Sequence, residues 1–268
     1  PVVSAAVVLS IGIGIGVNTA VFSWIQARVL NPVPGAAPAG GLVLVEPVSD
    51  SGTYPGVSWL EYGDLRPRLP SLSHLVAFRI APFSVGAADW SDRTPGLIVS
   101  ANYFQAFGVR PALGRFFDES DAGGSGREPA FVAVISHGFW RARFAAAPDV
   151  VGRTLQVSGR PLTIVGVTPD AFQGTVMGLN FDLWVPATLV PALDGSSREL
   201  DVRGIRGYQV AGILRAGATR ADTGRELDAA LRERMGQAGI QAVASQRGAM
   251  RAKYPTVNGG VARRGRGA

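Results

Sequence analysis

An uninterrupted apolar run near the start constrains this chain more than any other feature. From Val2 to Ile25 no residue is charged. A helix of that length spans about 36 Å at about 1.5 Å per residue, and the hydrocarbon core of a bilayer is about 30 Å thick. Soluble helices are rarely apolar on every face over such a distance, and the apolar core of a signal peptide is shorter, roughly 7–15 residues. We therefore predict a transmembrane helix within residues 1–30.

Two glycines in this run have the spacing of a helix-packing motif. Gly12 and Gly16 form a GxxxG pair, with Gly14 between them. Glycine is tolerated in membrane helices and allows a second helix to approach closely. We take the Gly12/Gly16 face as the candidate helix-packing site. The alternative is that the glycines only reflect how common this residue is in membrane helices.

The rest of the chain predicts a linker followed by an α+β domain. Residues 31–41, NPVPGAAPAGG, are rich in Pro and Gly and lack apolar periodicity, which is typical of a linker. Strands and short helices follow without the regular alternation of a doubly wound parallel sheet. The apolar and alternating patterns predict strands at 42–48, 75–80, 83–86, 96–100, 130–136, 181–189 and 208–214. They also predict a hairpin within 154–169, whose two strands flank a turn at Ser158-Gly159-Arg160. Cap signals and helical spacing predict helices after Ser58 and within 101–108, 137–146 and 217–237.

A search for catalytic and binding motifs finds no strong candidate. The chain has no cysteine, which excludes disulfides and Cys-based zinc sites. Its only lysine, Lys253, follows no glycine-rich phosphate loop, so ATP hydrolysis by this chain is not expected. The histidines, His74 and His137, are far apart in sequence, and packing or capping explains them better than metal binding. No catalytic residue, cofactor or metal ion is therefore expected.

An acidic cluster and a basic end leave weaker alternatives open. Asp118, Glu119 and Asp121 form a carboxylate cluster without EF-hand spacing, and a solvated loop explains it better than calcium binding. With His137, the two aspartates are the only set that would support a membrane-anchored envelope enzyme or binding module. Basic residues outnumber acidic ones from Arg203 onward. This surplus is compatible with nucleic-acid binding, but the apolar run argues against it, and no nucleic-acid partner is expected.

Six sequence blocks, in order along the chain, resemble one bacterial family. They are VNTAVFSWIQARVLNPVP, VSANYFQAFGVRPALGRFF, VAVISHGFWRARF, VVGRTLQVSGRPLTIVGVTPDAFQG, DLWVPATL and GILRAGATRADTGRELDAAL. They are similar to successive parts of ABC transporter permeases with a MacB-like periplasmic core domain, in the FtsX-like and duplicated orphan permease group. The resemblance extends from about Gly12 to Asn258.

The resemblance implies an architecture and a set of partners. It places the core domain at residues 42–257, with an inserted subdomain at about 101–200 and a disordered basic tail at 258–268. The core domain is expected outside the cytoplasmic (inner) membrane, with one membrane pass in this chain. A separate ATPase subunit and a homo- or pseudo-dimer with permease helices are the expected partners. Such permeases work in transport or mechanotransmission, including efflux, and VARRGRGA in place of further helices indicates a truncated fragment.

Overall fold

The computed structural model describes residues 41–49, 52–53, 56–87, 90–123, 127–176, 178–237 and 248–253. The predicted transmembrane helix, most of the linker, the basic tail and the Gly12/Gly16 pair lie outside these residues. Within the described part, no helix has the length and apolar character needed to cross a membrane.

Twelve strands and five α-helices make up the described part of the chain. The strands are β1 (Leu42–Ser49), β2 (Gly52–Thr53), β3 (Val57–Ser58), β4 (Leu72–Ala87), β5 (Trp90–Val99), β6 (Leu113–Gly114), β7 (Val132–Ile135), β8 (Thr154–Val157), β9 (Arg160–Val167), β10 (Leu183–Pro186), β11 (Arg206–Leu214) and β12 (Gly248–Lys253). The helices are α1 (Trp59–Leu65), α2 (Tyr103–Ala106), α3 (His137–Phe144), α4 (Val190–Leu193) and α5 (Arg220–Gln237). Short 3-10 turns follow α1 at Arg66–Arg68 and precede α4 at Ala187–Leu189.

The strands form one mixed sheet in the order β12-β1-β11-β4-β5-β10-β7-β9-β6. Most pairs are antiparallel, and β10–β5 and β7–β9 are parallel. The predicted α+β class is therefore confirmed.

The elements β6–β10 and α2–α4 all lie between β5 and β11 in sequence. We call residues 101–193 the insert, residues 194–205 the return segment, and the described residues 41–100 and 206–237 the base.

Part of the sheet closes on itself. Strand β8 pairs with both β4 and β9, with Val157 opposite Val85 and Leu155 opposite Leu162. The strands β4, β5, β10, β7, β9 and β8 therefore form a ring in which each strand has two ring neighbours. Buried side chains from all six strands meet in one apolar cluster, including Phe83, Val85, Ile98, Ala133, Ile135, Leu155, Val157, Leu162, Ile164, Leu183 and Val185.

Both faces of the sheet carry buried side chains. Along β4, Leu75 and Ala77 belong to the cluster that fills the ring, whereas Val76 and Phe78 belong to a second cluster. This alternation follows from the period of two in a strand. The second cluster is rich in aromatic side chains from the insert, with ring contacts among Tyr103, Phe104, Phe107, Phe172 and Trp184. A single sheet thus positions the insert against the base.

Local sequence signals predicted several boundaries correctly. Ser58 caps α1 in a complete capping box with Glu61. Ser158 and Gly159 both have positive φ, 48° and 79°, in the turn between β8 and β9. Such a pair suits a two-residue hairpin turn, because its backbone twist matches that of the strands.

The two strands predicted at 75–80 and 83–86 are wrong as separate elements. They form one strand, β4, which continues through Pro82 opposite Pro95 of β5. Proline cannot donate to a ladder and is tolerated where a strand has a free side. In the ladders of the described strands, β11 reaches only to Phe78 and β8 begins at Val85. Pro82 therefore lies where β4 is paired on one side only.

Candidate functional site

The return segment, which leads out of the insert, is held against the base by ionic contacts. It leads from α4 to the start of β11 and is organised by short turns. The Asp201 and Val202 N–H groups both donate to the Arg198 carbonyl, at 3.1 Å and 3.0 Å, and Ile205 N–H donates to the Val202 carbonyl at 3.1 Å. Glu199 and Arg203 of this segment make ion pairs with the base, and Arg206 at the start of β11 makes one within the base.

Glu199 is the most buried of these groups, with 8% of the residue exposed. The Arg79 guanidinium on β4 binds it in bidentate fashion, with Nε at 3.0 Å from Oε1 and Nη2 at 2.8 Å from Oε2. The Tyr208 hydroxyl on β11 also donates to Oε1. A buried carboxylate is tolerated only when it is paired and hydrogen-bonded in this way. We call Arg79, Glu199 and Tyr208 the clasp.

Burial keeps the phenol of the clasp protonated. Loss of solvent, and then the neighbouring Glu199 carboxylate, raise the pKa of the Tyr208 phenol above its ordinary value. The phenol therefore stays protonated at neutral pH and remains a hydrogen-bond donor to Glu199. The Arg79 guanidinium also lies 5.8 Å from the centroid of the Tyr208 ring, within the range of a cation–π contact.

Two further ion pairs connect α1 to the end of the return segment and to the start of β11. Arg203 Nη1 lies 2.6 Å from Asp64 Oδ2, and Arg206 pairs with Glu61. Glu61 is itself held by the capping box, because its Oε2 accepts from Ser58 N–H at 3.0 Å. The start of β11 is thus tied to the first turn of α1.

The same stretch of the base contacts the long helix α5. Arg68 Nε lies 3.2 Å from Glu233 Oε2. Immediately before β4, the Ser71 hydroxyl lies 2.6 Å from Glu226 and 2.7 Å from Thr223. A continuous series of polar contacts therefore leads from α5 through α1 to the return segment and the clasp.

A cleft of about 430 Å³ opens beside the clasp. Ile80 and Ile205 are 45% and 41% exposed at this cleft. Its lining residues are Arg79, Ile80, Glu199, Ile205, Arg206, Gly207, Tyr208 and Gln209. The charged groups of the clasp are paired with one another, so the arrangement stabilises a shape and does not present an activated nucleophile or base.

On another side of the junction, an exposed ion pair joins the insert to the base. Arg66 Nη2 lies 2.5 Å from Glu119 Oε1, and their side chains are 47% and 55% exposed. Beneath it, Asn102 donates to the Leu75 carbonyl at 2.9 Å, and Ser100 donates to Asn102 at 2.8 Å. Because exposed pairs contribute little, the buried clasp is the stronger ionic contact.

The structure brings Asp118 and Asp121 together, with Asp118 N–H donating to Asp121 Oδ2 at 3.1 Å, but it pairs His137 with a different carboxylate. Asp118 accepts from Ser120 at 2.6 Å, and His137 Nδ1 lies 3.1 Å from Asp170. Among the described residues, no group of three or more His, Asp or Glu side chains is arranged to hold a metal ion. The convergent set that an envelope enzyme would require is therefore not found at these three positions.

The prediction of a solvated loop is wrong for Asp121. The residue is only 6% exposed, because the Arg115 guanidinium binds its carboxylate through two nitrogens at 2.6 Å and 2.8 Å. Asp118 and Glu119 are exposed, as predicted. The Gly12/Gly16 pair lies outside the described residues and stays a prediction.

Sequence reasoning missed the clasp. One signal was present, since Arg79 stands inside the apolar strand sequence VAFRIAPF. A charge in a strand with two buried faces needs a partner. The partner is 120 residues away in sequence, however, and no local pattern indicates it.

Curated proteins with a similar sequence match part of this chain. The macrolide export ATP-binding/permease protein MacB of Burkholderia cenocepacia is 39% identical over 106 residues, which are 38% of this chain and 14% of that protein. Matches to the first curated relatives span only 14–19% of their length.

Two solved structures share the fold at low sequence identity. A domain of a permease protein from Porphyromonas gingivalis has a TM-score of 0.58 at 18% identity, covering 80% of this chain and 89% of that domain. The extracellular domain of the noncanonic ABC-type transporter YknZ from Gram-positive bacteria has a TM-score of 0.55 at 13% identity, covering 80% of this chain and all of that domain.

A family model matches most of the sequence. The model described as the MacB-like periplasmic core domain matches residues 4–230, which include most of the apolar run and nearly all of the described fold. This match covers far more than half of the chain, and it agrees with the family that the six sequence blocks predicted. The chain belongs to the MacB-like periplasmic core domain family.

Proposed function

We propose that this chain supplies the extracytoplasmic core domain of a permease subunit in an ABC-type export or mechanotransmission complex. The observation that carries the proposal is the match of one family model to residues 4–230, which joins the apolar run to the described fold. The relative from Burkholderia cenocepacia is an ATP-binding/permease protein for macrolide export. The partners of this chain would be a separate ATPase subunit and a second permease copy.

The role of the domain in such a complex is mechanical. Residues 1–30 would anchor the chain in the cytoplasmic membrane, with the core domain at residues 42–257 outside it. Movement of membrane helices would reach the base through its ends, β1 and α5. The polar contacts from α5 through α1 to the clasp would pass that movement to the insert, the predicted subdomain at about 101–200. No bond is made or broken in this role.

The Gly12/Gly16 face would pack the membrane helix against a partner helix. Replacing both glycines with Leu should weaken this association, because the larger side chains keep the backbones apart. A membrane two-hybrid assay measures the effect, with Gly14→Leu as the control at the intervening position. Unchanged association of the Gly12→Leu/Gly16→Leu variant would contradict the packing role.

A fusion experiment tests the location of the domain. Alkaline phosphatase is active only outside the cytoplasm. It is fused after Gln237 to a chain that begins at Pro1. We expect high phosphatase activity, and loss of activity in a matched fusion that begins at residue 31. Equal activity of the two fusions, or inactivity of both despite stable expression, would contradict an anchored extracytoplasmic domain.

A second experiment tests the ATPase partnership. The full chain, carrying an affinity tag, is isolated from detergent-solubilised membranes of its source bacterium. We expect an ABC-type ATPase to be recovered in stoichiometric amount, with vanadate-sensitive ATP hydrolysis in the eluate. The tagged chain that begins at residue 31 serves as the control. Recovery of the full chain without an ATPase would contradict the proposed complex.

A further inference from the structure

A second cleft, of about 400 Å³, opens at the edge of the base where the described chain begins. Leu214 N–H donates to the Gly41 carbonyl at 2.9 Å, and Arg215 N–H donates to the Ser71 carbonyl at 2.8 Å. These bonds bring the start of β1, the end of β11 and the start of β4 together at one edge of the sheet. Arg215 and Pro70 at this edge line the cleft. We call it the tether cleft, because Gly41 ends the predicted linker.

Arg215 is the cation of the tether cleft that has no acidic partner. Its Nε donates to the Pro70 carbonyl at 3.2 Å and its Nη2 to the Leu72 carbonyl at 3.4 Å. Among the described residues, no carboxylate pairs with it. A guanidinium carries five N–H donors in a planar fork that suits oxyanions. The two carbonyls thus hold the exposed side chain in place, while its charge and its other donors stay available to a ligand.

The charges of the tether cleft favour a ligand with one negative charge. Arg66 and Arg215 contribute two positive charges and Glu119 one negative charge, which leaves a formal net charge of +1 with His74 neutral. Arg66 is already paired with Glu119, so the surplus charge is that of Arg215. A phosphomonoester carries about −1.5 to −2 at neutral pH, whereas a phosphodiester carries a single negative charge. The phosphodiester therefore matches the cleft better.

The remaining lining suits the carbon atoms beside such a phosphate. Pro67 and Pro70 are exposed, and their apolar rings lie at the cleft. Gln105 on α2 is also exposed there, and its amide can donate to a phosphate or ester oxygen. A phospholipid headgroup combines these features, because one phosphodiester charge is joined to an apolar glycerol ester.

The place of the tether cleft in the chain identifies the source of that headgroup. Gly41 follows the predicted membrane helix through the linker at 31–41, which spans at most about 40 Å when fully extended. The edge of the sheet that carries Gly41 and Arg215 is therefore the edge that the linker holds toward the bilayer. This step rests on the proposed function, in which residues 1–30 anchor the chain.

We infer that Arg215 and the tether cleft bind the phosphodiester of a phospholipid headgroup in the leaflet that faces the domain. Arg215 binds the phosphate oxygens, Gln105 donates to an ester or phosphate oxygen, and the two proline rings pack against the glycerol carbons. The bound headgroup draws the base onto the membrane surface, which limits the tilt of the domain about its linker.

Titration calorimetry on the full chain in dodecyl maltoside tests this inference, because this detergent contains no phosphate. The probe is dihexanoyl-phosphatidylglycerol, a short-chain lipid with one phosphodiester charge. Dihexanoylglycerol, which lacks the phosphate, and inorganic phosphate, which lacks the lipid, are titrated separately. We expect saturable binding of the phospholipid and much weaker binding of the other two compounds.

Two substitutions in the tether cleft should weaken binding of the phospholipid. Arg215→Gln removes the charge-assisted hydrogen bonds and should raise Kd about tenfold. Its matched control is Arg160→Gln, because Arg160 is also exposed and also donates to a carbonyl, that of Ala192 at 3.0 Å, but lies on β9 of the insert. This control should leave Kd unchanged.

Gln105→Glu adds a negative charge to the tether cleft and should also raise Kd, by repulsion of the phosphate. Gln156→Glu, at an exposed position on β8, adds the same charge at a distance and should have no effect. Circular dichroism checks that each variant is folded, and Gln105→Glu decides the outcome if Arg215→Gln does not fold.

Unchanged affinity in a folded Arg215→Gln or Gln105→Glu variant would overturn the inference, and so would an equal loss in Arg160→Gln. Inorganic phosphate that binds as tightly as the phospholipid would also overturn it, because the site would then take a free anion. The titration needs neither an ATPase nor a membrane. Its failure is therefore distinguishable from failure of the proposed function, which the phosphatase fusion and the ATPase recovery report.

Discussion

Asp121 is a carboxylate whose burial depends on one arginine. Its two oxygens accept from Arg115 at 2.6 Å and 2.8 Å, and Oδ2 also accepts from Asp118 N–H at 3.1 Å. The hydrogen bond with Arg115 is the main reason why the pKa of Asp121 lies below its ordinary value of 3.8. The ionised form is therefore favoured by folding.

This lowered pKa predicts a specific pH dependence of stability. The contribution of Asp121 is fully present above pH 3.8, its ordinary value, and is lost as the pH falls through the lower folded-state pKa. Asp121→Asn should be less stable than the parent chain at neutral pH, and the difference should shrink in acid. Urea unfolding at several pH values between about 2.5 and 7 measures this difference.

Two results would contradict the account of Asp121. One is a stability difference that stays constant down to the lowest pH. The other is an Asp118→Asn variant, at an exposed position, with an equal loss of stability at neutral pH. Asp118 is the appropriate control because it belongs to the same loop and its main partner is the neighbouring Ser120.

At the scale of one element, helix α3 depends on the residue that precedes it. The Ser136 hydroxyl accepts from Phe139 N–H at 2.9 Å, as an N-cap, and donates to Asp182 at 2.7 Å. Ser136→Ala removes both bonds. An N-cap alone contributes about 1 kcal/mol, and the buried position of Ser136 adds the cost of leaving Asp182 without this donor.

We expect Ser136→Ala to lower the free energy of unfolding by about 1–3 kcal/mol. Chemical denaturation measures the loss. Ser196→Ala is the matched control, because Ser196 also donates to a carboxylate, that of Asp194 at 2.6 Å, but is exposed and caps no α-helix. Its effect should stay within about 0.5 kcal/mol. Equal losses in the two variants would show that the cap is not what stabilises α3.

Elements defined by neighbouring residues were predictable from the sequence, and elements defined by distant pairing were not. The capping box at Ser58 and the turn at Ser158–Gly159 carry their own chemistry within a few residues. The continuity of β4 through Pro82 depends instead on which side of the strand has no partner. That information lies in β11 and β8, far along the chain.

The same limit applies to the candidate site. The sequence predicted the family and the fold class, but the clasp depends on contacts between residues 79, 199 and 208. Arg79 was recognisable as an unusual charge in an apolar strand, and the burial of Glu199 was not. Closure of the ring by Val157 opposite Val85 is equally non-local, because nothing in the sequence of β8 identifies β4 as its second neighbour.

At the scale of the whole molecule, β4 and β5 belong to both the ring and the open part of the sheet. Strand β4 pairs with β11 at Leu72–Phe78 and with β8 at Val85–Gly86. One apolar cluster extends from the ring to the helices of the base, and includes both Leu162 on β9 and Leu65 on α1. Loss of either part would therefore expose apolar surface of the other.

This shared cluster predicts that the described fold unfolds as one unit. Leu162→Ala in the ring and Leu65→Ala in the base each remove a fully buried side chain, and each should cost about 2–5 kcal/mol. Both variants should keep a single transition, with circular dichroism and tryptophan fluorescence coinciding. Hydrogen exchange in low denaturant should then accelerate in β7 and in β11 for both variants, because the strands open together. If Leu162→Ala accelerated exchange in β7 and left β11 unchanged, the ring and the base would be independent units, and the shared strands would not couple their stability.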